Sequence, residues 1–348
     1  MNKDIFLRSP KICCISDIHL GVHQSSSQWH DISLAWAKWL KCELIAKGIT
    51  DIVISGDLFH YRDHISVSTL DISSRIFELW KDFNIIIIAG NHDAFYKDRC
   101  DVNSISIFNQ SSNISTISSP VTTTLFSKNI TFCPWNTDTD KIPVSDIIFG
   151  HFQLKTFKQT NYRICSEGTS PGELTKRSKL TITGHFHLRE ERQYDSSTII
   201  YLGNPFQMDF GDVNDVKGYY ILDIETLKYE FFQNTISPTH KFIYLTDIIE
   251  KQTNLDLIKG NFTRLIIDRK TTADEIDNTL KLLTSHLPVS LTVDYRSTTL
   301  KPVLDQTQIS DMSQLDIPSA IEEFVNQMNV DNKKEIAEYT IDLYKKCK

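Results

Sequence analysis

Residues 11–21 read KICCISDIHLG: an apolar run suited to a buried strand, then a polar turn that leaves Asp17 and His19 two positions apart. The same grammar returns in DIVISGDLFH (51–60), NIIIIAGNHD (84–93), SDIIFGHF (145–152) and KLTITGHFHL (179–188). Runs that are apolar nearly throughout suit strands covered on both faces, as in a sheet packed between other layers. Helical patterns separate the early runs. Ile32, Ala35, Trp36, Trp39 and Leu40 mark one helical face with Gly48 as its C-terminal cap, and 64–80 reads as a second helix. Strand alternating with helix predicts an α/β fold.

Outward from this core, 129–133, 198–202 and 218–224 are further strand candidates. After about residue 250 the pattern changes to a small β-α-β unit, with strands at 264–268 and 290–295 around a helix at 273–286. Residues 297–316 carry little periodicity. Two short amphipathic helices are then expected, one with Ile321, Phe324, Val325 and Met328 on a face, the other with Ile336, Tyr339 and Leu343.

Composition excludes several classes. Hydrophobic residues at 40% and charged residues at 23% describe an ordinary globular chain rather than a disordered or membrane-embedded one. The isoleucine run at 85–88 is far shorter than the roughly 18 to 20 apolar residues that span a bilayer. Residues 1–10, with Lys3, Asp4 and Arg8, lack a secretory pattern, so a cytoplasmic location without membrane contact is expected. The 7 cysteines form no Cys-x-x-Cys pair, which argues against a zinc ribbon or disulfide scaffold. A net charge of -7 neither favours nor excludes a polyanionic partner, because charge gathers locally and bound divalent metals invert its sign.

The chemistry lies where the strands end. Asp17, His19, Asp57, His60, Asn91, His92, His151, His185 and His187 all fall there, and in α/β sheets such edges are where ligands bind. Alternation along an extended chain predicts that Asp17 with His19, and His185 with His187, each address one site as a pair. Gly56, Gly90, Gly150 and Gly184 directly precede candidates and permit crowding. Carboxylate, amide oxygen and imidazole without thiolate point to manganese, iron or zinc, with magnesium less suited. His23, His30, His64, His240 and His286 match no such pattern.

Taken together, Asp-x-His, Gly-Asp, Gly-Asn-His-Asp, Gly-His and Gly-His-x-His in this order resemble the signature of the calcineurin-like metallophosphoesterases. The resemblance implies a β-sandwich flanked by helices and a pair of divalent cations, manganese first among them. Asp17, His19, Asp57 and His187 would hold one cation; Asp57, Asn91, His151 and His185 would hold the other, with Asp57 as the bridge. His92 would stand beside the scissile phosphate, and Asp93 would orient its loop. GDLFHYRDH lacks the Val-Asp-Arg-Gly that follows the bridging aspartate in protein phosphatases. Gly-Asp-Leu-Phe-His instead is similar to SbcD-type nuclease subunits, where the histidine, here His60, positions DNA or the catalytic histidine.

YLGNPFQMDFGD (201–212) resembles that group's Tyr-x-Gly-Ser-Pro segment, with Asn204 for serine and Asp212 for glutamate. The resemblance implies a nuclease domain over 1–245, a capping domain over 246–300, a linker over 301–316 and, over 317–348, helices that bind an SMC-like coiled-coil ATPase. It also implies DNA ends as substrate, in repair or recombination, and a homodimer formed through helices of the nuclease domain. The CPWN segment around Trp135 and GDVNDVKGYY look like recombination-endonuclease subunits of large bacteriophages, which would act in the host cytoplasm. Lys155, Lys158, Arg163, Lys176, Arg177, Lys179, Arg189 and Arg192 outnumber the acids of the same window, consistent with phosphate contacts. Two rival readings are a small-molecule phosphodiesterase with the same metal centre and a non-catalytic DNA-end scaffold.

Overall fold

The computed structural model describes residues 5–295, 318, 325 and 332–346. The linker expected at 301–316, and Ile321, Phe324 and Met328 of the first terminal stripe, lie outside the described residues. The strands in chain order are β1 (Lys11–Ile15), β2 (Asp51–Ile54), β3 (Asn84–Ile88), β4 (Ile114–Ile117), β5 (Val121–Leu125), β6 (Lys128–Cys133), β7 (Ser145–His151), β8 (Lys158–Thr160) and β9 (Arg163–Ile164). There follow β10 (Ser178–Gly184), β11 (Glu190–Tyr194), β12 (Ser197–Tyr201), β13 (Gly218–Asp223), β14 (Lys228–Gln233), β15 (His240–Tyr244), β16 (Phe262–Ile267) and β17 (Ser290–Tyr295). The long helices are α1 (Ser27–Ala46), α2 (Val67–Leu79), α3 (Ala273–Ser285) and α4 (Lys333–Lys346).

Two six-stranded sheets form a sandwich, in the orders β14-β13-β1-β2-β3-β4 and β11-β12-β10-β7-β6-β5. The near-continuous apolar runs now have a physical reason. In β1, Ile12 and Cys14 face the second sheet with Ile86, Ile88, Phe132, Phe149 and Ile182, whereas Cys13 and Ile15 join Ile85 and Ile87 beneath the helices. Alternate residues are therefore buried on opposite faces. The outer face of the second sheet is covered by Phe152, Leu154, Phe157, Leu174 and Phe186.

Helix α1 buries Leu34, Trp36, Ala37, Leu40 and Leu44. Ala35, expected on that face, is exposed. Its chain reverses at Gly48, whose φ of 68° is a left-handed cap, as expected. Helix α2 is shorter than expected because Ser66 caps it, its hydroxyl accepting the Thr69 N–H at 3.1 Å.

Apolar patterning missed β4, β5, β11 and β14, and these are the four edges of the two sheets. Their sequences, ISTI, VTTTL, EERQY and KYEFFQ, break the apolar run with Ser, Thr, amide or charged residues. The expected β-α-β unit is present as β16, α3 and β17, and β15 completes a parallel three-stranded sheet that begins at His240. α3 opens with a capping box between Thr272 and Glu275.

The chain divides into two compact units, 1–296 and 297–348. In the second, α4 buries Ala337 and exposes Ile336 and Tyr339. Among the described residues no helix is long and apolar enough to cross a membrane.

Candidate metal centre

The loops that follow β1 and β2 are zipped together beyond the strands. The N–H groups of Asp17, His19 and Leu20 donate to the carbonyls of Gly56, Asp57 and Leu58 at 3.0, 3.1 and 2.8 Å, and His60 N–H donates back to Leu20 at 3.0 Å. Asp93 ties in the third loop. Its carboxylate accepts the N–H groups of Gly90, Phe59 and Leu58 at 2.9, 3.1 and 3.3 Å, so it orients backbone. Burial and the nearby Asp57 charge push its pKa up to about 6.

On this frame the candidate ligands form two neighbouring groups. Asp17, His19 and His187 make one, and Asp57, His151 and His185 the other, with the donor atoms of each group within 4.8 Å of one another. Asn91 joins the second: its Oδ1 lies 2.7 Å from His185 Nδ1 and 3.0 Å from His151 Nε2. Asp57 Oδ2 faces both groups, 3.7 Å from His19 Nε2 and 3.3 Å from His151 Nε2.

Two expectations about local geometry change. Asp17 and His19 do converge, but not by strand alternation, because both have left-handed backbones, φ 54° and 50°. His185 and His187 face different groups rather than one. Asp57 and His185 also have positive φ, 52° and 99°, and non-glycine residues in that region are costly and concentrate at functional sites. Gly56, at φ 101°, needs its freedom doubly, since a Cβ there would collide with the His151 ring. A Cβ at Gly90 would strike the Asp57 carboxylate.

The donor set fits divalent cations. Asp17 and Asp57 are 0% and 1% exposed, and no Lys or Arg among the described residues pairs with either. Buried carboxylates without a cation are strongly disfavoured. His151 Nδ1 donates to the Ser55 carbonyl at 2.8 Å, so in the neutral ring the Nε2 lone pair points at Asn91 Oδ1 and Asp57 Oδ2. Several acceptors then face one space, which a cation satisfies. Burial disfavours the His151 imidazolium, yet the Asp57 and Asp17 charges raise its pKa to about 9. Burial would raise Asp57 too, but His151, His19 and His92 hold it below the ordinary carboxylate range. His185 is depressed to about 3 by burial and by His151.

His92 and His60 stand beside the first group. His92 Nδ1 donates to the His60 carbonyl at 2.6 Å, and its backbone N–H donates to Asp57 Oδ1 at 2.8 Å. His60 Nδ1 lies 3.3 Å from His19 Nδ1, the ring nitrogen turned away from Asp57. The His60 ring stacks on His92 at 5.5 Å.

Two contributors, both within segments quoted from the sequence, were given no role at the site there. Trp135 packs its ring 4.9 Å from His185 and 6.1 Å from His151, walling the second group. Lys217 is 5% exposed and donates to the His187 carbonyl, Asp212 Oδ1 and Asp215 Oδ2 at 2.7, 2.7 and 2.6 Å. Asp212, the acid of the YLGNPFQMDFGD segment, also accepts from Asn204 Nδ2 at 3.1 Å and Met208 N–H at 2.8 Å. That segment is thus a brace behind His187. A lysine in an apolar run beside an acid pair was the available signal.

Comparison with known proteins bears on the family. The profile of calcineurin-like phosphoesterases matches residues 10–297. Exonuclease subunit 1 of Enterobacteria phage T4 is 27% identical over 246 residues, covering 67% of this chain and 70% of that protein. A solved structure described as a novel archaeal phosphodiesterase covers 64% of this chain and 99% of its own at 15% identity and a TM-score of 0.38, too slight a likeness to add weight. With its sandwich, its ordered strand-end motifs and a profile match across most of its length, the chain belongs to the calcineurin-like phosphoesterase family.

Proposed function

We propose that this protein is the nuclease subunit of a DNA-processing complex, hydrolysing phosphodiester bonds at DNA ends with two manganese ions and working with an SMC-like coiled-coil ATPase. The observation that carries the reading is the pair of ligand groups with Asp57 Oδ2 facing both and His92 beside them; the similarity to an exonuclease subunit supports DNA as the substrate. One cation is assigned to Asp17, His19, Asp57 and His187, and the other to Asp57, Asn91, His151 and His185. When bound, such a pair binds phosphate oxygens and lowers the pKa of a shared water.

The side chains around it divide the remaining work. His60 holds His19 by its ring and His92 by its carbonyl. Because Nδ1 of His92 is committed to that carbonyl, Nε2 is the nitrogen left to carry a proton to the leaving oxygen. Trp135 keeps water from the flank of His185 and His151. Residues 246–300 are assigned to a capping domain and 317–348 to the ATPase-binding helices, and the active form is proposed as a homodimer.

The test is incubation of the purified protein with linear DNA and manganese. Cleavage that chelation abolishes is expected. His92→Asn should slow it by about 10²- to 10⁴-fold while leaving manganese uptake unchanged by calorimetry. Absence of cleavage, alone and with the ATPase, would overturn the reading, and faster turnover of cyclic nucleotides than of DNA would replace it with the small-molecule alternative.

A further inference from the structure

The hairpin of β8 and β9 leaves the segment of His151 and carries chemistry that the metal centre does not use. Tyr162 at its tip is 94% exposed and Ile164 63%. From Phe152 to Ser166 the sequence holds Lys155, Lys158 and Arg163 and no acidic residue, in a chain of net charge -7. All three cations are exposed, and none has an ion-pair partner among the described residues. Their neighbours differ. Arg177, Lys179, Arg189 and Arg192 lie 3.6, 2.9, 3.1 and 2.6 Å from Asp140, Asp146, Glu191 and Glu190, so that part of the basic window is neutralised.

The hairpin is also anchored. Asn161 Nδ2, next to Tyr162, donates to the carbonyls of Gly211 and Val213 at 2.8 and 3.3 Å. That is the loop whose Asp212 pairs with Lys217 behind His187. At the base, Lys158 N–H donates to Glu190 at 2.9 Å, and Phe157 is held between the Arg192 guanidinium at 4.1 Å and the Tyr201 ring at 4.9 Å. An aromatic ring displayed to solvent, between unpaired cations, is thereby tied to the brace behind His187 at its tip and to β11 and β12 at its base.

We propose that this hairpin receives a single-stranded nucleic-acid segment running from the metal centre, Tyr162 stacking on an unpaired base and Lys155, Lys158 and Arg163 meeting phosphates. The proposal rests on the nuclease reading above. Every base offers a π-face, so one aromatic serves any sequence, but a duplex hides those faces except at its ends. The absence of acids suits a polyanion, and an apolar partner would leave the three charges unmatched.

The test compares wild type, Tyr162→Ala, Tyr162→Phe and Arg163→Ala. Affinity for a fluorescein-labelled single-stranded oligonucleotide is read by anisotropy across salt concentrations, and hydrolysis of bis(p-nitrophenyl) phosphate with manganese reports the metal centre. Tyr162→Ala should weaken single-strand binding about tenfold, with Tyr162→Phe near wild type, and should barely change binding to a covalently closed duplex. Arg163→Ala should reduce the salt slope by about 0.7. All variants should hydrolyse the small ester normally. Unchanged single-strand affinity in Tyr162→Ala, or equal losses for single strand and duplex, overturns the proposal, the former leaving the hairpin as a surface for an acidic protein. If wild type hydrolyses the small ester but binds no oligonucleotide, the nuclease reading itself has failed and the hairpin proposal falls with it.

Discussion

Two regions of this molecule gather histidines, and they use the rings differently. In the metal centre, His19, His151, His185 and His187 turn ring nitrogens toward carboxylates, an amide oxygen and one another. In the seam between α1 and the three-stranded sheet, His23 stacks on Trp29 at 4.6 Å, Trp29 on Phe262 at 5.2 Å and Phe262 on His240 at 4.7 Å. Phe210 meets His240 edge-on at 4.8 Å and carries the Arg264 guanidinium at 3.9 Å. Here the imidazoles stack as flat aromatic surfaces, and His23 Nε2 also donates to the Met208 carbonyl at 2.8 Å. His240 Nδ1 is buried with no hydrogen-bond partner among the described residues, and burial pushes its pKa down to about 4. Burial and histidine content therefore do not define a metal site. The company of acids that no Lys or Arg neutralises does.

The sharpest way to break this contrast is Asp57→Asn. If the shared carboxylate organises both groups, manganese-dependent hydrolysis of bis(p-nitrophenyl) phosphate should fall by about a thousandfold or more. Manganese should also stop raising the melting temperature, a stabilisation of about 2.7 kcal/mol for wild type at a hundred times Kd. Retention of that rise in the variant would mean that the ions bind elsewhere.

Lys217→Met asks whether the brace matters to the centre or only to the fold. Loss of the contact to the His187 carbonyl should weaken manganese affinity by about 10- to 100-fold, measured by calorimetry, and Lys217→Arg should restore part of it. Equal affinity in a folded Lys217→Met protein would reduce the brace to a stabilising element.

His240→Phe probes the seam, with the smallest expected effect on the metal centre itself. Because the folded imidazole has a lowered pKa, the unfolded chain takes up the proton first. Stability is complete above the unfolded value of about 6.5 and declines as pH falls toward the folded value, by at most about 1.4 kcal/mol per unit. Urea midpoints should therefore drop less between about pH 7 and about pH 4.5 in the variant than in wild type, and the manganese response should be untouched. An identical acid slope in both proteins would show that His240 is not the group that titrates.

The candidate site was legible because its residues are written in a repeated local code: an apolar strand, a small residue, then a ligand type. Asp17, Asp57, Asn91, His151 and His185 all stand at such ends, and His240, which follows no glycine, does not. The inner strands were legible for a related reason, since burial on both faces demands apolar side chains without a break. The edge strands were not, because a strand with one unpaired side tolerates Thr, Glu, Arg and Lys.

By itself the sequence settled the strand-end motifs, their order and the donor chemistry, all carried by short-range patterns that survive without coordinates. Strand alternation put His185 and His187 at one site; the tertiary structure turns them to different groups, closes Lys217 on the His187 carbonyl and sets Trp135 against His185. The physical reason is distance along the chain. Contacts such as Lys217 with the His187 carbonyl, or Asp17 with the His185 N–H, join loops that meet only when two sheets stack, and no local period encodes that meeting.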